Sequence, residues 1–447
     1  MLRTPKALLL FPLLVACGSS QPPPAQPAPD ATTTSAPASS AASPVAATDA
    51  GATPTSTTAA AADPADAAAF AASIEAFNAD LYAKLKSGKG NVFYSPTSIE
   101  VALAMAAAGA HGDTAQQMQK VLHLGSDAGK TNAAASHLLA SWTTPSDSGP
   151  TLNVANRLWG QKDYAFLPDY LQTTHDSYGA ELALVDFKKA PEDARKAINT
   201  WVADKTNQKI LDLIPSGALS PLTRLVLTNA VYFKGTWSTA FDKASTKNES
   251  FLAGTTKVTV PMMQHKFTSA MYAELPHAQM LSLPYKGDAA HSLSMVIVLP
   301  KSGTPLTTAE ADLNSGAVTK WVGMETMRSV NVSLPRFKTS SQFELGPTLK
   351  QMGMPLPFSD QADFTGMSSA KGGEELKISN VIHKAFVDVN EDGTEAAAAT
   401  GVVMGTRGMM VPQNPVDFKV DHPFAFFIRD DKSGAILFAG KIENPTK

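Results

Sequence analysis

Asp388, Asn390, Asp392 and Gly393 stand at the spacing of the first half of a calcium-binding loop, where side-chain oxygens alternate along the chain and a glycine makes the sharp turn. The pattern stops there. The twelfth position, where a bidentate acid has to close the cage, is Ala399, and no helical pattern flanks the run. Catalytic chemistry is equally short of residues: there is no Gly-x-Ser-x-Gly elbow and no His-Glu-x-x-His pair, and the nine histidines are scattered singly. A single cysteine excludes paired-thiolate metal spacing. The reading is a protein that is not an enzyme and needs no cofactor.

The same stretch becomes informative when followed further. From Asn390 to Val411 the chain is long, nearly uncharged and rich in small residues, and it has no proline before Pro412. Loops of this length without structure of their own are functional or disordered. With a period of two, one face presents Thr394, Ala396, Ala398, Thr400, Val402 and Met404, without a charge, and the other presents Glu395, Ala397, Ala399, Gly401, Val403 and Gly405. Such a segment can enter a sheet as a central strand, where a proline would lose a ladder hydrogen bond and a charge would be buried at great cost. A flexible Ala/Gly hinge with one conformation is the plain alternative. Arg407 is the only basic residue between Lys384 and Lys419.

The elements that must hold this segment read as follows. Phe70, Ile74, Phe77, Leu81 and Leu85 recur at helical spacing up to Ser87 and Gly88, and Ser95 with Pro96 caps a second helix running to Gly109. Ala194 to Leu213 reads as a third helix. Leu225 to Phe233, Met295 to Leu299, Val330 to Leu334, Val381 to Val389, Phe424 to Ile428 and Ile436 to Ala439 are β-rich runs. Helices dominate the first half and strands the second, which predicts an α+β domain from roughly Ala67 to Lys447. Ahead of it, residues 18–66 are almost wholly Pro, Ala, Ser and Thr and read as a disordered tether. Arg3 and Lys6 precede an apolar run, Ala7 to Val15, too short to span a bilayer, so residues 1–17 read as a secretory signal. Leu14, Val15 and Ala16 before Cys17 resemble the bacterial lipoprotein signal, with Cys17 as the lipidated residue. A net charge of −3 and the lack of any basic run give no footprint for nucleic acid.

Five dispersed motifs, in order, resemble the serpins, and the resemblance covers essentially the whole folded domain. They are Asn91 to Ile99 (Asn-Val-Phe-Tyr-Ser-Pro-Thr-Ser-Ile), Leu227 to Trp237 (Leu-Thr-Asn-Ala-Val-Tyr-Phe-Lys-Gly-Thr-Trp), Val381 to Ala385 (Val-Ile-His-Lys-Ala), Glu391 to Ala399 (Glu-Asp-Gly-Thr-Glu-Ala-Ala-Ala-Ala) and Phe418 to Phe424 (Phe-Lys-Val-Asp-His-Pro-Phe). The resemblance implies three β-sheets with surrounding helices and an exposed reactive loop, about residues 391–415, offered as bait to a serine protease. Once cut, the loop inserts into the large sheet and the acylated protease is dragged on the order of 50 Å and distorted. A monomer with a covalently trapped protease as partner is implied.

The resemblance also assigns residues. Glu391, Gly393, Thr394, Glu395 and the four alanines Ala396, Ala397, Ala398 and Ala399 match the hinge of inhibitory members. Counted in the family manner, the seventeenth residue from Glu391 is Arg407, so the reactive bond is Arg407 to Gly408, suited to a trypsin-like protease. Sixteen steps separate Arg407 from Pro423, several more than is usual for the family, so Met409 or Met410 is the alternative specificity residue, for targets of chymotrypsin or elastase type. Ser95, Ser98, Asn229 and His383 match a polar cluster beneath the opening sheet, and Trp237 matches the tryptophan where the loop enters. A cysteine-protease target, or a non-inhibitory surface binding protein, is the remaining alternative. The lipid anchor would place the domain in the cell envelope, on the outer membrane or its extracellular face.

Overall fold

The computed structural model describes residues 63–143, 149–180, 182–288, 291–369, 376–394 and 414–447. The signal with Cys17, most of the tether, and the loop from Glu395 through Arg407 and Gly408 to Gln413 lie outside the described residues.

The first helix, α1 (Pro64–Leu85), opens where Asp63 accepts a bond from the amide of Ala65 at 2.8 Å with Pro64 at the first helical position, and it buries Phe70, Ile74, Phe77 and Leu81. The strand β1 (Val92–Tyr94) leads into α2 (Pro96–Ala107), capped by Ser95, whose side chain accepts from the amide of Ser98. Then come α3 (Gly112–Val121), α4 (Ala128–Thr143), β2 (Thr151–Gln161), α5 (Pro168–Tyr178), β3 (Ala183–Val185) and α6 (Pro191–Lys205). The second half is β4 (Leu225–Thr236), β5 (Lys247–Ala253), β6 (Thr256–Glu274), β7 (Ala278–Pro284), β8 (Leu293–Pro300), two short helices α7 (Leu306–Ala311) and α8 (Ala317–Val322), β9 (Thr326–Pro335) and β10 (Phe337–Glu344). It closes with α9 (Gly346–Met352), β11 (Ile378–Asn390), β12 (Gly393–Thr394), β13 (Val416–Lys419), β14 (Phe424–Asp430) and β15 (Ile436–Ile442). The α+β segregation matches the expected fold class.

Helix α6 ends at Lys205, short of the expected Leu213. Asn207 and Gln208 adopt φ of 50° and 60°, and the Thr206 hydroxyl turns back to the carbonyl of Val202 at 2.7 Å. The break lets Ile210, Leu213 and Ile214 turn inward and bury themselves against Phe187 and Ile198.

Among the described residues the strands join into two hydrogen-bonded sheets rather than the three implied. The reason is β6, 19 residues long, which pairs with β9 on both sides of a register shift between Phe267 and Ala270. A bulge of this kind bends a strand without ending its ladder, so two parts of the array stay continuous. The result is nine strands in the order β1, β15, β14, β8, β7, β6, β9, β13, with β5 on β6.

The six-stranded sheet carries the site. Its order is β10, β11, β12, β4, β2, β3, and β11 also pairs directly with β4, in parallel, from Ile378 opposite Leu225 to Phe386 opposite Tyr232. Both faces are covered. Leu225, Leu227, Val231 and Phe233 of β4 join the large core shared with α1, α2 and the other sheet, while Val226 and Ala230 join Ile382 of β11 and Trp159 of β2 beneath α6. That double burial is why β4 reads as a continuous apolar run instead of an alternating one.

Candidate functional site

Beyond Phe386 and Tyr232 the two central strands part, and β12 fills the fork. Strand β11 runs to Asn390, the chain turns at Glu391 and Asp392, and Gly393 and Thr394 come back between the strands, opposite Asn390 and Val389 on one side and Thr236 and Gly235 on the other. The turn requires glycine: Gly393 has φ of 149°, and a Cβ on it would lie 2.0 Å from the carbonyl oxygen of Gly235. The first residues of the expected hinge are thus already part of the sheet.

Five side chains and two backbone amides hold the turn. The Trp237 indole N–H donates to the Asn390 carbonyl at 2.9 Å, and the amides of Trp237 and Phe241 donate to the carbonyls of Asp392 and Glu391, each at 2.9 Å. Lys243 pairs with Asp392 at 2.7 Å. Glu391, 1 % exposed, receives the Arg336 guanidinium at 2.5 to 2.7 Å and the Thr246 hydroxyl at 2.5 Å. Burial alone would raise the Glu391 carboxyl, but Arg336 and Thr246 hold it below its ordinary value. Thr394 is fully buried, its hydroxyl 2.7 Å from that of Tyr285. Asp388 and Asp392, the carboxylates of the calcium-like spacing, face Lys338 and Lys243 respectively.

Deeper in the same seam, His383, Asn229 and Asn156 stand on one rung of β11, β4 and β2. His383 is fully buried; its Nε2 accepts from the amide of Ser95 at 3.1 Å, so its Nδ1 carries the proton and donates to Oδ1 of Asn229. Burial pushes the imidazole down to about 3, so it is neutral at working pH. The Asn229 amide donates to the Ser98 hydroxyl at 2.6 Å and to Asn156 Oδ1 at 2.7 Å, while the Ser95 hydroxyl donates to the Leu437 carbonyl at 2.6 Å. Parting β11 from β4 at this level has to break the bond between His383 and Asn229.

The structure therefore brings Ser95, Ser98, Asn229 and His383 into one network and sets Trp237, Glu391, Gly393 and Thr394 together at the fork. Glu395, Ala396 to Ala399, Arg407 and Gly408 fall outside the described residues. Sequence reasoning missed Asn156, Thr246, Tyr285 and Arg336. Asn156 offered a signal, a polar residue inside a strand run; the others touch the hinge across 55 to 145 residues of chain. Among the described residues no group of three or more His, Cys, Asp and Glu side chains is placed to hold a metal.

Known proteins share this fold. A family model described as serpin (serine protease inhibitor) matches residues 72–445. The leukocyte elastase inhibitor of Bos taurus is 43 % identical over 379 residues, covering 83 % of this chain and 97 % of its own. Among solved structures, serpin48 of the insect Tenebrio molitor superposes with a TM-score of 0.74 at 34 % identity, over 84 % of this chain and 98 % of its own. Human thyroxine-binding globulin, solved with thyroxine, gives a TM-score of 0.75 at 30 % identity, over 85 % and 100 %.

Proposed function

Since the chain belongs to the serpin family, we propose that it is an irreversible suicide-substrate inhibitor of secreted, trypsin-like serine proteases, held in the bacterial cell envelope by a lipid on Cys17. The protease serine attacks the Arg407 carbonyl, the amide to Gly408 breaks, and the Gly408 amine leaves with a proton from the protease's own histidine. The ester on Arg407 remains. The freed loop then enters the six-stranded sheet between β4 and β11, and the protease, carried to the far end, loses the geometry that deacylation needs.

One observation carries this reading: Gly393 and Thr394 already sit between two strands that are parallel to each other and antiparallel to them, the geometry a new central strand must continue. Thirteen residues follow Thr394 up to and including Arg407, and β11 is itself 13 residues long, so an insertion ending at that bond would run the length of its neighbour. At roughly 3.3 Å per residue the ester would travel about 43 Å.

The test is to mix the mature chain with trypsin and to run denaturing gels and intact mass spectrometry. The expected result is an adduct at the summed mass that survives denaturant, with a released fragment starting at Gly408. A fragment starting after Met409 or Met410 would move the reactive bond downstream, and complete cleavage without adduct would overturn trapping of this class of protease.

A second reading, carriage of a small molecule, is favoured by a cleft of about 850 Å³ walled by Lys257, Pro305, Leu306, Glu310, His422 and Lys441. The likeness to thyroxine-binding globulin adds to it. Retention of a thyroxine probe through gel filtration, by a chain that forms no adduct with any serine protease tried, would favour this reading.

A further inference from the structure

The hydroxyls of Tyr285 and Thr394 are 2.7 Å apart in a place closed to water, Tyr285 being 4 % exposed and Thr394 fully buried. The phenol ring has no freedom to follow a departing partner. It stacks on Trp237 with centroids 4.6 Å apart at 11°, meets Phe233 edge-on at 5.0 Å, and its amide donates to the Leu293 carbonyl at 2.9 Å. Gly235 leaves the room this requires, since a Cβ there would lie 2.7 Å from the ring. A valine at position 394 would fill the same volume without a hydroxyl, so the structure spends a buried polar pair where an apolar contact would fit.

We propose that Tyr285 is a positioning residue, a latch that holds Thr394 in its sheet position before any protease acts and thereby sets how promptly a cleaved loop starts to insert. The kinetic half of this rests on the insertion mechanism proposed above. When Thr394 leaves the fork, the Tyr285 hydroxyl is stranded in an apolar, ring-walled site; when it returns, both hydroxyls are satisfied at once. Burial also pushes the phenol well above its ordinary value, so the group remains an O–H donor across working pH. Seating the hinge is thus a local two-state event biased by one hydrogen bond, and it precedes the longer zipper below it.

The experiment uses the full chain and three variants, Tyr285→Phe, Thr394→Val and the double variant, with two readouts. Hydrogen exchange of the peptide carrying Gly393 and Thr394 reports seating and does not depend on inhibition; the number of chains consumed per trypsin trapped reports the race between insertion and deacylation. Each single variant strands one buried hydroxyl and is expected to speed exchange at the hinge roughly tenfold, about 1.4 kcal/mol, and to raise the number of chains consumed. The double variant replaces both partners by apolar isosteres and is expected to return both readouts close to wild type. Singles without effect on exchange, or a double variant whose effect is the sum of the singles, would overturn the latch. Exchange that responds while consumption does not would overturn its kinetic role. If the wild type traps no trypsin, the reading as an inhibitor of trypsin-like proteases fails, and exchange alone decides the latch. Unchanged slow exchange in Phe424–Asp430, a fully buried strand of the other sheet, shows that a variant has folded.

Discussion

His383 is the residue at which the closed sheet meets pH. Buried and neutral, it accepts from the Ser95 amide on one side and donates to Asn229 on the other, and a second proton would leave the Ser95 amide facing a cation. Its folded value of about 3 lies below the ordinary value of 6.5, so between those limits the unfolded chain binds a proton that the folded chain refuses. The contribution is fully present above about pH 6.5 and falls by about 1.4 kcal/mol per pH unit as the solution is acidified. Glu391 acts in the same direction at lower pH: its value is depressed in the fold, so its contribution is present above the ordinary carboxylate range and is lost as pH falls through the depressed value. His383→Gln keeps an acceptor near the Ser95 amide but cannot titrate. In denaturant midpoints the wild type is expected to be the more stable at pH 7.5, with the gap closing by about 2 kcal/mol toward pH 5. A gap of equal size at both values would show that the imidazole does not titrate with sheet stability.

The register of β12 makes a prediction for the element that does not yet exist. Continuing the pairs of Thr394 with Val389 and with Gly235 down the seam sets Thr400 opposite both His383 and Asn229, the rung whose direct bond insertion must break. Thr400 also shares the uncharged face with Thr394, whose side chain points into the core beside Tyr285, so its hydroxyl would be offered to the two groups left without a partner. Thr400→Val should therefore leave the intact chain unchanged and destabilise only the loop-inserted form, by about 1–3 kcal/mol, read as the difference in thermal midpoint between nicked and intact protein. That face was legible in the sequence because its period of two needs no partner to be seen, and the start of α2 was legible because Ser95 and Pro96 act locally, whereas the first turn of α1, opened by Asp63 and Pro64, lies in residues read as the end of the tether. The overrun of α6 shows the limit, since the helical pattern continued while Asn207 and Gln208 turned the chain. Long β6 escaped because Lys257, Thr259, Gln264, Lys266 and Thr268 interrupt its apolar residues, and its length follows from pairing with β9, not from composition. Tyr285, Arg336 and Thr246 could not be read as hinge contacts, because nothing near them in sequence says what the fold brings to them.

At the scale of the molecule, cutting after Arg407 would free a 40-residue piece, Gly408 to Lys447, that the fold cannot spare. It contains β14 and β15, both buried along their whole lengths, and β15 alone joins β1 to the nine-stranded sheet. Phe426 and Phe438 each stack on Phe93 at centroid separations of 5.8 and 5.2 Å. The nicked chain should therefore stay one particle and separate only in denaturant. Its stability then depends on the other side of the cut. From Ile378 to Phe386, β11 and β4 satisfy each other's backbone directly, and an inserted strand would replace that single ladder with two while burying the uncharged face of the loop. Cleavage that leads to insertion thus raises the thermal midpoint, whereas cleavage of a loop that stays outside removes a covalent link and leaves the midpoint unchanged or lower. Limited digestion followed by gel filtration and a thermal melt separates the two. A single particle melting higher than the intact chain is the expected outcome, and one melting at or below it would mean that the fork at Gly393 and Thr394 does not zip, which would leave a chain that binds proteases only as a substrate.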